Sequence, residues 1–114
     1  MNKLHLSDEA QKDLIEIKRY IAEELENPKA ALAVVSRITK SIRILRDYLY
    51  AGPLLSSVAE VTGDYRFIVS GSYIVFYRVM AKVAYIDRVL YGRQDYLRLL
   101  FPDVSDDEND NQNN

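Results

Sequence analysis

The chain contains no cysteine among its 114 residues. That excludes disulfides, cysteine-based zinc sites and a thiol nucleophile together, and it suits a reducing cytosol. Histidine is almost as scarce: His5 is the only one. A histidine metal site or a Ser-His-Asp triad is therefore not expected, and a lone histidine in a short strand is most simply a strand residue. The four glycines are scattered, so there is no glycine loop to cradle a phosphate. No stretch approaches the roughly 20 apolar residues that span a membrane. The opening residues Met1 to Asp8 hold no long apolar run and soon turn acidic, unlike a secretory leader. The expectation is a soluble, cytoplasmic protein with no metal and no cofactor.

Hydrophobic residues make up 48% of the chain, which excludes wholesale disorder, and the length fits one domain. The net charge of -2 conceals an asymmetry. Asp103, Asp106, Asp107, Glu108 and Asp110 supply five of the 17 acids, leaving a body with 15 bases and 12 acids. A weakly basic body can meet nucleic acid or an acidic partner, although a solvated surface explains charge alone more simply. The division expected is a domain over residues 1–102 and a disordered acidic tail over 103–114.

Along the chain, Asn2 to Leu6 alternates like a strand. Ser7 follows as a helix N-cap, with Asp8 and Glu9 where the helix dipole favours acids. Ala10, Leu14, Ile17, Ile21 and Leu25 recur at helical spacing. Asn27-Pro28 stops this helix and starts another, since Asn caps well and Pro is favoured at the first helical position. The second helix carries Ala31, Val34, Val35, Ile38, Ile42, Leu45 and Leu49, and Gly52-Pro53 should end it. Residues 54–63 read as a loop, with room for a short strand at Ser57 to Val61. Asp64–Ser70, Tyr73–Met80 and Val83–Tyr91 are rich in β-branched and aromatic residues and read as three antiparallel strands. Arg93 to Phe101 is a short helix or an extended arm, stopped by Pro102. The order β-α-α-β-β-β predicts an α+β fold, with an antiparallel helical hairpin on a small antiparallel sheet.

With two-residue turns at Gly71-Ser72 and Ala81-Lys82, Arg66 should face Tyr77 and Tyr77 should face Ile86. Val75 should then face Arg88, and Tyr73 should face Leu90. The other face would collect Tyr65, Phe67, Val69, Ile74, Phe76, Arg78, Tyr85 and Val89. Both faces are apolar, so one packs on the helices and the other needs the C-terminal segment or another protein. Six of the nine tyrosines fall in this half, with Arg66, Arg78, Lys82, Arg88, Arg93 and Arg98. Arginine with tyrosine on a sheet suits phosphates and bases. The simpler reading is core tyrosines with arginines at the rim.

Three segments in this order resemble the RelE/ParE toxin superfamily. They are Asn27-Pro28-Lys29-Ala30-Ala31 opening the second helix, Asp64-Tyr65-Arg66-Phe67 with Tyr73 to Val79, and Ile86 to Tyr96. The resemblance runs from about residue 3 to 101 and implies the toxin of a type II toxin–antitoxin pair. Its partner would be a cognate antitoxin that wraps the toxin, and DNA would be met only through that antitoxin. RelE-like members cleave mRNA on the ribosome, whereas ParE-like members poison DNA gyrase. Arg66 and Arg93 fall at basic catalytic positions of the RelE-like nucleases, and Tyr96 is the substitute for their C-terminal tyrosine, at a different spacing. Ile68, Ile74 and Leu99 stand where further functional groups are expected, which favours the gyrase reading. A third alternative is an antitoxin-binding module without toxicity. The partner-binding residues implied are Arg66, Tyr73, Tyr77, Arg78, Arg88 and Arg93.

Overall fold

The structure, a computed structural model, describes residues 2–93 and 96–101. It confirms the expected order, and the C-terminal segment takes the short-helix alternative. Strand β1 is Lys3–Leu6, helix α1 Asp8–Arg19, helix α2 Pro28–Asp47, β2 Arg66–Ser70, β3 Tyr73–Met80, β4 Val83–Tyr91 and α3 Tyr96–Leu100.

Both helix starts follow from local chemistry. The Ser7 hydroxyl accepts from the Ala10 N–H at 2.9 Å and also donates to the Asp87 carbonyl at 2.8 Å, so one residue caps α1 and ties it to β4. Asn27 accepts from the Ala30 N–H, and Pro28 occupies the first turn of α2. Between the helices, α1 passes into a π-helical turn, Tyr20–Glu24. The wider turn carries Leu25 off the apolar stripe that its spacing predicted, and it is 56% exposed.

Helix α2 ends at Asp47, not at the Gly52-Pro53 signal. The early stop lets Leu49 turn into the core. Gly52 then rests on β2 so closely that a Cβ there would meet the Phe67 carbonyl oxygen at 2.2 Å, which only glycine allows. Its N–H donates to the buried Tyr77 hydroxyl at 2.9 Å, and its carbonyl accepts from Arg66 at 2.8 Å. The segment after it forms a single 3-10 turn, Leu55–Ser57, in place of the short strand considered at Ser57 to Val61.

The sheet order is β1-β4-β3-β2. It is mixed, not wholly antiparallel as expected: β1 pairs with β4 in parallel. The chain returns to β1's side after both helices and two further strands, a connection long enough to bring β4 in alongside it in the same direction. Strands β2, β3 and β4 form the expected meander, and Arg66 faces Tyr77 and Tyr77 faces Ile86. Beyond that rung a bulge places Asp87 as an extra residue on β4. Val75 therefore faces Val89, and Tyr73 faces Tyr91, correcting the predicted partners Arg88 and Leu90. One extra residue reverses the side on which all later ones fall.

The main core lies between the helices and one sheet face, with Ile17, Ile38, Ile42 and Leu45 against Val75, Tyr77, Ile86 and Val89. Val89 is thus on the helix side, contrary to expectation. The other face carries a smaller core of Leu55, Phe76 and Leu90, roofed by Tyr96, Leu97, Leu100 and Phe101. The C-terminal segment supplies that cover as a short helix. The disorder expected over 103–114 falls outside the described residues.

Candidate functional site

The bulge at Asp87 organises the charged part of the sheet. The Asp87 carboxylate accepts from Arg78 at 3.0 Å, and the Arg78 guanidinium lies over the Tyr65 ring, 5.2 Å from its centroid. Burial, followed by the hydrogen bond to Asp87, pushes the Tyr65 hydroxyl up to about 12. Next to this cluster, Arg88 reaches the edge of β4 and grips Asp13 of α1 through two bonds, at 2.9 and 3.0 Å. The same carboxylate accepts the Val89 N–H at 2.9 Å. One α1 side chain therefore neutralises a sheet arginine and satisfies a strand edge. Hydrogen bonding to Asp13 raises the Arg88 guanidinium further above its ordinary value.

Strand β1 covers β4 only over Val83–Ile86. Past that point a groove of about 840 Å³ opens between α1, the π-helical turn and the far half of β4. Tyr20, Leu25, Tyr73, Tyr91 and Leu99 give it an apolar lining, and Asp13 and Glu16 stand among its walls. Tyr73 and Tyr91 meet edge to face with centroids 5.7 Å apart. Burial raises the Tyr73 hydroxyl above its ordinary value. Tyr20, Leu25, Tyr91 and Leu99 each remain between 39% and 56% exposed, a concentration of apolar surface that marks an interaction site.

The predicted site residues are distributed unevenly around this frame. Tyr73 lines the groove, and Arg88 forms part of its wall. Arg78 lies on the opposite sheet face, held by Asp87 and Tyr65. Tyr77 is fully buried beneath the helices, with its hydroxyl engaged by Gly52, so its ring offers nothing to a partner. Arg66 stands at the start of β2 with its guanidinium over Tyr50, 4.9 Å from the ring centroid. Arg93 is exposed in the turn after β4.

The three nuclease candidates do not converge. Arg66 shares a rung with Tyr77, while Gly92, just before Arg93, bonds to Ser72. Five residues of β3 separate those levels, about 16 Å along the strand. Tyr96 packs on Phe76 at 5.3 Å, on the face turned away from the helices.

Sequence reasoning missed Asp13, Tyr20, Leu25 and Tyr91 as members of one site. Asp13 carries no local signal, and only the position of α1 against the β4 edge gives it two partners. Leu25 carried a usable signal, an apolar residue next to a helix break. Among the described residues no three metal-ligating side chains cluster, and no helix is long and apolar enough to cross a membrane.

Comparison with known proteins follows the same architecture. A family model described as the ParE toxin of type II toxin–antitoxin system, parDE, matches residues 4–96. Ten chains of solved structures match. One belongs to a structure titled as a chromosomal ParDE TA system from P. aeruginosa; it is 25% identical, with a TM-score of 0.68 over 80% of this chain and 96% of that one. No curated protein matches.

Proposed function

This chain belongs to the ParE toxin family of type II toxin–antitoxin systems, and from that premise we propose that it arrests growth by poisoning DNA gyrase and is neutralised by a cognate antitoxin. The observation that carries gyrase over mRNA cleavage is the scatter of Arg66, Arg93 and Tyr96. Cleaving RNA through its 2′-hydroxyl needs a base, an acid and a charge stabiliser all within hydrogen-bond reach of one phosphate. Two arginines about 16 Å apart along a strand and a tyrosine on the other sheet face do not supply that. Arginine also makes a poor base, because its pKa exceeds about 12.

The antitoxin's seat is the groove beside β4. The Val89 N–H points out of this edge, where it meets Asp13, so an extended segment can add alongside the neighbouring backbone and drop apolar side chains onto Tyr20, Leu25 and Tyr91. The toxin domain spans residues 1–102 and works in the cytoplasm, and residues 103–114 are an acidic appendage to it.

Purified chain added to gyrase from its own host tests the reading. Supercoiling should stop, or cleaved DNA should accumulate, near stoichiometric amounts. Undisturbed gyrase in excess toxin, with transcripts cut at the ribosome in arrested cells, overturns it in favour of the nuclease. Undisturbed gyrase with normal growth leaves an antitoxin-binding module. Leu25→Asp should abolish neutralisation by the antitoxin while leaving toxicity intact.

A further inference from the structure

The outward face of α2 is charged in a way that neither the core nor the groove explains. Lys29, Arg37, Lys40, Arg43 and Arg46 are all exposed, and the only acid in the helix is Asp47 at its end. Elsewhere three arginines of the folded body find carboxylates: Arg19 has Glu16, Glu23 and Glu24, Arg78 has Asp87, and Arg88 has Asp13 and Glu9. Among the described residues, none of the five bases of α2 forms an ion pair.

Helical geometry places three of them on one line and the other two on its flanks. At 3.6 residues per turn, Lys29, Lys40 and Arg43 lie within about 40° of the direction facing away from Ile38. Arg37 stands about 80° to one side and Arg46 about 100° to the other. From Lys29 to Arg43 the line is about 21 Å long, and Arg37 and Arg46 flank its C-terminal part on opposite sides. One strand of duplex DNA carries a phosphate every 3.4 Å of helix axis, so a line of that length runs along about six phosphates.

We propose that this face of α2 binds the phosphate backbone of duplex DNA without regard to sequence. The residues between the cations favour that ligand over others. Ala33 and Ser36 are small and let a phosphate come close to the helix. An acidic protein would want an apolar centre to dock on, whereas the exposed Leu32 and Ile44 lie to either side, about 60° off the outward direction, with cations and small residues between them. A single strand would want aromatic side chains interleaved with the cations for its bases to stack on, and α2 contains no aromatic residue. The sequence alone led to DNA contact only through an antitoxin; α2 provides a direct one. It is read on DNA without gyrase, so it stands or falls independently of the gyrase reading.

The test is fluorescence anisotropy of a labelled duplex of arbitrary sequence titrated with the full chain, at salt from about 50 to 200 mM. Binding should weaken with salt, log K falling against log salt with a slope of about -4.5 for five contacts. The variant R37Q/K40Q/R43Q/R46Q keeps residues that favour helices and should lose about tenfold or more in affinity, its slope shrinking towards about -1. The control K12Q/K18Q on α1 should bind like the parent. If circular dichroism shows the fourfold variant unfolded, R43Q/R46Q replaces it and should lose about half the slope. Absence of binding at the lowest salt overturns the proposal, as does full affinity in a folded α2 variant or an equal loss in the α1 control. Tighter binding of a single strand of the same length also overturns it, and so does charge-matched polyglutamate bound as tightly as the duplex.

Discussion

The two helices of the hairpin bury similar apolar stripes but carry opposite charge to opposite ends. Over residues 8–26, α1 and its π-helical turn hold seven acids and three bases; over residues 28–47, α2 holds five bases and one acid. Asp13 of α1 is tied into the sheet through Arg88 and Val89, and Glu16, Glu23 and Glu24 gather around Arg19. The bases of α2 have no such partners among the described residues. Net charges of equal size, -4 on one and +4 on the other, therefore do different work. On α1 part of the charge locks the helix to a strand edge, and on α2 it is left facing solvent. What separates the two is contact with an unpaired edge. Helix α1 runs beside β4 where β1 has ended, and α2 lies over the interior of the sheet.

Breaking the lock should have the largest effect. Asp13→Ala leaves Arg88 and the Val89 N–H without their shared acceptor, in a site only 13% exposed at the carboxylate. A loss of about 3 kcal/mol in urea-induced unfolding is expected. A loss below about 1 kcal/mol would reduce the contact to a surface ion pair and erase the contrast between the helices.

Alkaline pH probes the neighbouring cluster. The Tyr65 hydroxyl is raised from 10 to about 12 in the folded chain, so the folded state holds its proton more tightly than the unfolded state. The resulting stability is complete below pH 10 and lost as the pH climbs through about 12. Tyr65→Phe should flatten that decline in thermal melts, and an unchanged decline assigns it to other groups.

Helix α2 is held from beneath. Tyr77→Phe strands the Gly52 N–H just beyond the helix and should cost about 1–2 kcal/mol, measured in the same urea titrations. By contrast, R37Q/K40Q/R43Q/R46Q should stay within about 1 kcal/mol of the parent, since exposed positions away from partners usually move stability little. A large destabilisation there would show that the α2 charges support the fold after all. Arg19→Gln on α1 should have the smallest effect, vanishing in high salt, because its ion pairs are exposed and screened.

Much of this was legible in the residues. Ser7 and Asn27-Pro28 announced both helix starts, and β3 and β4 run over the predicted residues. The Gly71-Ser72 turn placed Arg66 opposite Tyr77. The register failed past Ile86, because Asp87 carries no local mark of a bulge. The bulge depends on Ser7 and Arg78 meeting Asp87 from distant parts of the chain. The candidate site was less legible than the fold. Tyr73 and Arg88 border the groove, but Tyr77 proved to be core. A tyrosine in a strand looks the same from either face until one face is covered.

By itself, the sequence determined the α+β class, the helix starts, most of the strand boundaries and, through three short segments, the family. These are local matters: periodicity, caps and turns are set by residues a few positions apart. Only the tertiary structure decided that the sheet is mixed, that Asp13 is a sheet ligand and that the α2 bases remain unpaired. Each depends on which backbone edge or carboxylate lies within about 3 Å of a side chain up to 80 residues away. That distance is fixed when the two cores close around the sheet.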